Sequence, residues 1–139
     1  MTVDIKIAAG QRLMAGLPGT ELDPGFVTLV RECKVGNVIL FRRNVKSAAQ
    51  LERLCTSLRR LIVAETGFEP FIAIDQEGGV VSRFSPDMAI TPGAMALAAV
   101  GGDAPYRAAQ ITALQLRAAG VNFNLAPVLD VNSNPLNPV

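Results

Sequence analysis

Two short segments fix the fold class. Val38-Ile39-Leu40-Phe41 and Phe71-Ile72-Ala73-Ile74 are apolar at every position, and an amphipathic stretch of helical length separates them. A strand with one wet face alternates apolar and polar residues, so a strand apolar throughout has both faces covered. Parallel strands need long crossovers between them, and a helix packed on the sheet supplies both crossover and cover. The chain therefore reads as α/β with a parallel sheet.

The flanking sequence repeats this unit. Leu13 to Leu17 reads as a first strand ended by Pro18-Gly19. Asp23 is an N-cap with Pro24 at the first helical position; Phe26, Leu29, Val30 and Cys33 follow at helical spacing, and Gly36 lies just past the end. Ser47 and Gln50 have capping-box spacing ahead of a stripe of Leu51, Leu54, Cys55, Leu58 and Ile62. The stretch 76–102 exceeds a usual connection of a few residues; it is too apolar for disorder and is expected to hold a short helix near Gly93 to Ala99. Asp103 caps the next helix, with Ala108, Ile111, Leu114 and Ala118 on one face and Gly120 at its end. A fourth strand, about Val121 to Ala126, completes a β-α-β-α-β-α-β series without internal repeats beyond that unit.

Composition narrows the functions. With 139 residues, half of them hydrophobic and 18% charged, the chain can build a core. A net charge of +1 gives no electrostatic case for nucleic acid or an anionic membrane, and the Arg59-Arg60 pair reads as solvated helix surface. No run approaches the ~18 apolar residues of a bilayer span, and Met1 to Gly10 lacks the apolar core of a secretory signal. A cytoplasmic location is the expectation. Cys33 and Cys55 lie on the apolar sides of their helices and are expected as reduced core residues. No cysteine spacing suggests a metal, no cofactor is implied, and the absence of histidine removes any triad or zinc site that needs one.

Functional side chains in parallel α/β folds gather at the C-terminal ends of the strands, where the loops open. Polar residues recur at those points: Arg42, Arg43 and Asn44 after strand two; Asp75, Gln76 and Glu77 after strand three; Asp130, Asn132 and Asn134 after strand four. Asp75 is the sharpest case, a carboxylate held at the mouth by four apolar residues. Gly78-Gly79 permits a tight turn, and Arg83, eight residues on, can point back. Together Asp75 and Arg83 offer the acceptors and donors that sugar hydroxyls need; the alternative is an internal ion pair or loop cap. Glu77 is a poor catalytic partner for Asp75, because residues two apart in a turn do not naturally flank a scissile bond at the roughly 5–9 Å required. Asp130 reads as a loop scaffold, and the run Asn132 to Pro135 reads as a turn.

Asp75-Gln76-Glu77-Gly78-Gly79, continued by Val81-Ser82-Arg83-Phe84, resembles the signature of family-three glycoside hydrolases, most closely the bacterial β-N-acetylhexosaminidase branch. Pro18-Gly19-Thr20-Glu21-Leu22, Gly36 to Phe41 with Arg43-Asn44, and Ala126 to Val131 agree in order and spacing, so the resemblance covers nearly the whole chain. It implies a TIM-type (β/α)8 barrel that removes terminal β-linked sugars, N-acetylglucosamine foremost, with retention of configuration. It also implies that Asp75 and Arg83 bind the sugar. The family's nucleophile is an aspartate late in the barrel, and its acid/base is a histidine on a mobile loop; neither motif is in this chain, so none of its residues is assigned a catalytic role. Val80 stands where many relatives carry a basic residue, which bears on substrate preference.

A complete barrel needs roughly 250 residues. Residues 1–139 are thus expected to supply its first three βα units plus a fourth strand, a partial barrel whose open edges invite self-association. The expected partner is a carbohydrate. Two other readings remain: a β-glucosidase or β-xylosidase of the same family, and a non-catalytic half-barrel that binds a partner through its edge.

Overall fold

The computed structural model describes residues 4–134 and residue 136. In chain order it contains α1 (Ile5–Gly10), β1 (Met14–Ala15), α2 (Pro24–Cys33), β2 (Asn37–Leu40), a 3-10 turn (Arg42–Asn44), α3 (Ala48–Thr66), β3 (Ile72–Ile74), α4 (Ala94–Val100), α5 (Ala104–Ala118) and β4 (Phe123–Asn124). The four strands form one open, parallel sheet in sequence order β1-β2-β3-β4. Ala15 pairs with Val38, Leu40 with Ile74, and Ile74 with Asn124.

Local chemistry accounts for the helices. At α2, Asp23 Oδ1 accepts from the Phe26 N–H at 3.1 Å, Pro24 opens the helix, and Lys34 ends it in the left-handed region. At α3, Ser47 Oγ accepts from the Gln50 N–H at 3.1 Å, and the Gln50 side chain reaches back to the Lys46 N–H at 2.8 Å, one residue beyond a standard capping box. Gly67, left-handed at φ 78°, closes α3. The α3 stripe of Leu51, Leu54, Cys55, Leu58 and Ile62 is buried against Val38, Leu40, Ile72 and Ile74, which forms the centre of the core.

The strands are shorter than the sequence suggests, and asparagine amides extend the pairing at their ends. Asn37 Nδ2 donates to the Gln11 and Leu13 carbonyls, and its Oδ1 accepts from the Phe71 N–H. Asn122 Oδ1 accepts from the Ile72 N–H while its Nδ2 donates to the Pro70 carbonyl. Each amide supplies both a donor and an acceptor to neighbouring backbone that has left the regular ladder.

Several expectations need correction. Helix α1 has no counterpart in the sequence pattern; Asp4 accepts from the Lys6 N–H and starts it. Leu13 is half exposed and precedes β1. Cys33 is exposed, because the buried stripe of α2 comprises Phe26 and Val30 and the cysteine lies in the last turn. On α5 the inward face carries Ala108, Thr112 and Leu116, leaving Ile111, Leu114 and Ala118 open. Of the larger apolar residues of α5, Leu116 is buried while Ile111 and Leu114 look outward. Asp103 does not cap α5 through its side chain; the carboxylate is drawn to Arg107 at 2.7 Å, one turn on. Beyond β4, Asn132 to Asn134 is irregular, with Ser133 N–H donating to the Val131 carbonyl, and the Pro135 end of the expected turn lies outside the described residues.

Candidate functional site

The polar residues at the strand ends divide into two groups. Those after β2 hold the scaffold. Asn44 is fully buried; its Oδ1 accepts from the Phe41 N–H at 2.8 Å, and its Nδ2 donates to the Leu17 and Gly19 carbonyls at 3.0 and 2.7 Å. Arg43 donates to the Leu17 carbonyl at 3.1 Å and lies 4.7 Å from the Phe41 ring centroid, a cation–π arrangement. Arg42 donates to the Val45 carbonyl at 2.6 Å. These groups tie the end of β1 to the end of β2.

Those after β3 converge. Asp75 follows Ile74, the last residue of β3, and Arg83 returns so that Nη2 stands 3.4 Å from Asp75 Oδ2. Each side chain is 25% exposed, so the pair opens to solvent at the mouth without lying on the surface. The contact is long for a charge-assisted bond, which ordinarily spans ~2.7–2.9 Å. Arg83 Nε is buried and has no hydrogen-bond partner. Asp75 therefore retains acceptor capacity and Arg83 donor capacity within one part-exposed pair, which suits a ligand rich in hydroxyls.

The loop that makes this return is ordered by its own contacts. Gly78 and Gly79 have φ 92° and 55°, and a Cβ on Gly78 would stand 2.6 Å from the Pro92 carbonyl oxygen. Only glycine allows that approach. The Gly79 N–H donates to the Thr91 carbonyl at 2.8 Å, and the Gln115 amide brackets Ala89 from α5 through both its N–H and its carbonyl. Asp87 accepts from Ser85 Oγ and from the Ala48 N–H, which ties the loop to the start of α3. The Ser85 hydroxyl, then the Ala48 amide, hold the Asp87 carboxyl below its ordinary value.

Two apolar clefts adjoin the loop. One, about 700 Å³, is lined by Glu77, Val81, Met95, Val128, Asp130 and Asn132. The other, about 500 Å³, lies between Gln76, Leu97, Thr112, Leu116 and Asn124. Asp75 and Arg83 line neither, and the geometry of that pair is the stronger guide, because apolar alanine-rich walls offer little to a sugar. Asp130, expected as a loop scaffold, is exposed on the first cleft with Asn132. Among the described residues there is no group of three or more potential metal ligands, and no helix is long and apolar enough to cross a membrane.

Sequence reasoning gave no role to Asn122, Asn124 and Ser82. A signal was present for the asparagines: residues two apart on a strand share a face, and two amides on one face of an otherwise apolar run mark that face as a hydrogen-bonding one.

The description "Glycosyl hydrolase family 3 N terminal domain" fits residues 12–139. The chain is 37% identical to a β-hexosaminidase A of Pseudoalteromonas piscicida over 86% of its own length and 21% of that protein's. It is 40% identical to a β-hexosaminidase of Alkalilimnicola ehrlichii, covering 86% of this chain and 35% of the relative. Among solved structures it is similar to a glycoside hydrolase family 3 β-N-acetylglucosaminidase from Paenibacillus sp., with a TM-score of 0.93 and 41% identity over 99% of this chain and 26% of that one. The chain thus spans about a fifth to about a third of the length of the curated relatives it matches.

Proposed function

The chain belongs to the N-terminal domain family of the family-three glycoside hydrolases, and from that premise we propose that it is the opening portion of a longer (β/α)8 barrel whose activity is the hydrolysis of O-glycosides. The proposed substrates are terminal β-linked sugars, N-acetylglucosamine foremost, cleaved with retention of configuration. The observation that carries the reading is the Asp75–Arg83 pair: an open carboxylate at a strand tip, a guanidinium 3.4 Å away, and a buried Nε without a partner. In this role Asp75 accepts from sugar hydroxyls and Arg83 donates to them. The names of the relatives, β-hexosaminidase and β-N-acetylglucosaminidase, support the choice of sugar.

Retention needs a nucleophile and a proton donor on opposite sides of the glycosidic bond. Asp75 and Arg83 are assigned to holding the sugar, and both reacting groups are assigned to later barrel segments. Residues 1–139 alone are therefore expected to be inactive. The exposed apolar flank of Ile111, Leu114, Phe123 and Leu125 supports self-association of the isolated chain. A cytoplasmic location belongs to the same reading; the two free cysteines are compatible with it.

The test is turnover of a chromogenic β-N-acetylglucosaminide, with a β-glucoside and a β-xyloside in parallel. The complete protein that carries this chain should prefer the first, and residues 1–139 should cleave none. Asp75→Ala in the complete protein removes a charged acceptor worth about 1.5–3 kcal/mol, so kcat/KM should fall about 10- to 150-fold. An unchanged kcat/KM would remove the sugar-holding role.

A further inference from the structure

We propose that Gln76 is a positioning residue for the Asp75–Arg83 pair, acting through the Arg83 backbone and held in turn by Asn124 of β4. The inference rests on the reading of that pair as a sugar grip and goes beyond it by naming what sets the grip's geometry.

Gln76 is only 2% exposed, although it sits between two residues that open to solvent. Its side-chain Oε1 accepts from the Arg83 N–H at 2.7 Å. Its Nε2 lies 3.1 Å from Ser82 Oγ, which in turn is 3.3 Å from Oε1. Its backbone is gripped by one side chain: the Gln76 N–H donates to Asn124 Oδ1 at 3.0 Å, and Asn124 Nδ2 donates to the Gln76 carbonyl at 3.1 Å. The chain thus closes from the tip of β3, through the Gln76 amide, onto the residue that carries the guanidinium. The Asn124 side chain fixes that closure to the next strand.

The residue type fits the task. A hydroxyl-binding pair is useful only if the carboxylate and guanidinium keep one separation, and displacements of about 1 Å near a reacting centre can cost on the order of 100-fold in rate. A carboxylate at position 76 would compete with Asp75 for Arg83. A neutral amide supplies both an acceptor for the Arg83 N–H and a donor for Ser82 without drawing the guanidinium away. An apolar side chain of the same length would leave the Arg83 N–H without its partner in a part-buried setting.

A purely structural role would use the same bonds, so the test is a double-mutant cycle in the complete protein that carries this chain, read as kcat/KM on the chromogenic β-N-acetylglucosaminide. Gln76→Met, close in volume, should lower kcat/KM by about 10-fold or more. In the Arg83→Ala background, which keeps the backbone N–H that Gln76 holds but lacks the guanidinium, the same change should lower it by no more than about 2-fold, since a positioning residue has little effect once the group it positions is gone. The melting temperature should fall by similar amounts in both backgrounds. If Gln76→Met does not fold, Ser82→Ala, which removes the hydroxyl beside the Gln76 amide and the Phe84 N–H but leaves the Gln76–Arg83 bond, should show a smaller loss with the same coupling. Losses that multiply independently, or a Gln76→Met protein with wild-type kcat/KM beside a crippled Arg83→Ala, overturn the positioning role alone. A wild-type protein without turnover, or an Asp75→Ala protein with unchanged kcat/KM, overturns the sugar-grip reading and the inference with it.

Discussion

Asn44→Ala tests whether side-chain amides hold the strand ends together. Asn44 is fully buried and its side chain makes three hydrogen bonds: two join the 3-10 turn after β2 to the segment after β1, and one closes the turn on the Phe41 N–H. Their loss is unequal. The Leu17 carbonyl keeps a second donor in Arg43 Nε at 3.1 Å, so that bond adds little. The bond to Gly19 is part-buried and contributes about 1 kcal/mol, whereas the part-buried Phe41 N–H loses its acceptor at a cost of about 1–3 kcal/mol. The sum is about 3 kcal/mol, which for a chain of this size lowers Tm by about 10 °C. The assay is urea unfolding followed by far-UV circular dichroism at one protein concentration. Ser57→Ala is the control: it removes an exposed hydroxyl bonded within its own helix, and its effect should stay within about 0.5 kcal/mol. If Asn44→Ala costs less than about 1 kcal/mol, the apolar core alone holds β1 against β2 and the argument for the amide fails.

Three further outcomes follow from the same structure. Only one thiol should react with a disulfide reagent in the native chain: Cys33 is exposed, whereas burial pushes the Cys55 thiol up to about 12, so two fast equivalents without denaturant would contradict the core packing. The carboxyls of Glu65 (held down by Lys34 and Arg31), Glu69 (by Arg59) and Asp87 (by Ser85 and the Ala48 amide) lie below their ordinary values of 4.5, 4.5 and 3.8. They contribute stability above those values that is lost as pH falls through the lowered folded-state ones, so urea midpoints should drop on acidification below about pH 4.5, and a flat profile from pH 6 to 3 would contradict the pairing. The isolated chain should show a mass that rises with concentration in light scattering, and Leu114→Lys, at a site 63% exposed, should shift it toward monomer.

The parallel sheet was legible because its interior strands are apolar on both faces, and α3 was legible because its stripe repeats over successive turns behind Ser47. Asp75 and Arg83 could be brought together on paper because a rigid strand and a two-glycine turn leave few ways back. The edges were not legible. At α5 the apolar periodicity selected Ile111 and Leu114, but the face that packs inward carries Ala108 and Thr112, with Thr91 against Thr112 at 3.4 Å. Hydrophobic periodicity marks the apolar face of a helix, and on α5 the face that packs inward is a different one. Asp103 shows a local limit of the same kind: a cap and an ion pair compete for one carboxylate, and spacing alone does not decide between them.

The short strands give the site its character. β1 and β4 hold two residues each and β3 three, too few for the ladder alone to fix where their tips lie. Asn37, Asn122 and Asn124 extend the pairing with side-chain amides, Asn44 ties the turn after β2 to the segment after β1, and Asn124 hands its grip directly to Gln76. An amide bracket of this kind is directional, whereas burial of apolar surface is not. The core can therefore bring the four strands together, but the amides set the level at which each one ends. Because Asp75 begins where β3 stops, the position of the carboxylate proposed to hold the sugar is set by side-chain amides on the neighbouring strand as well as by the core.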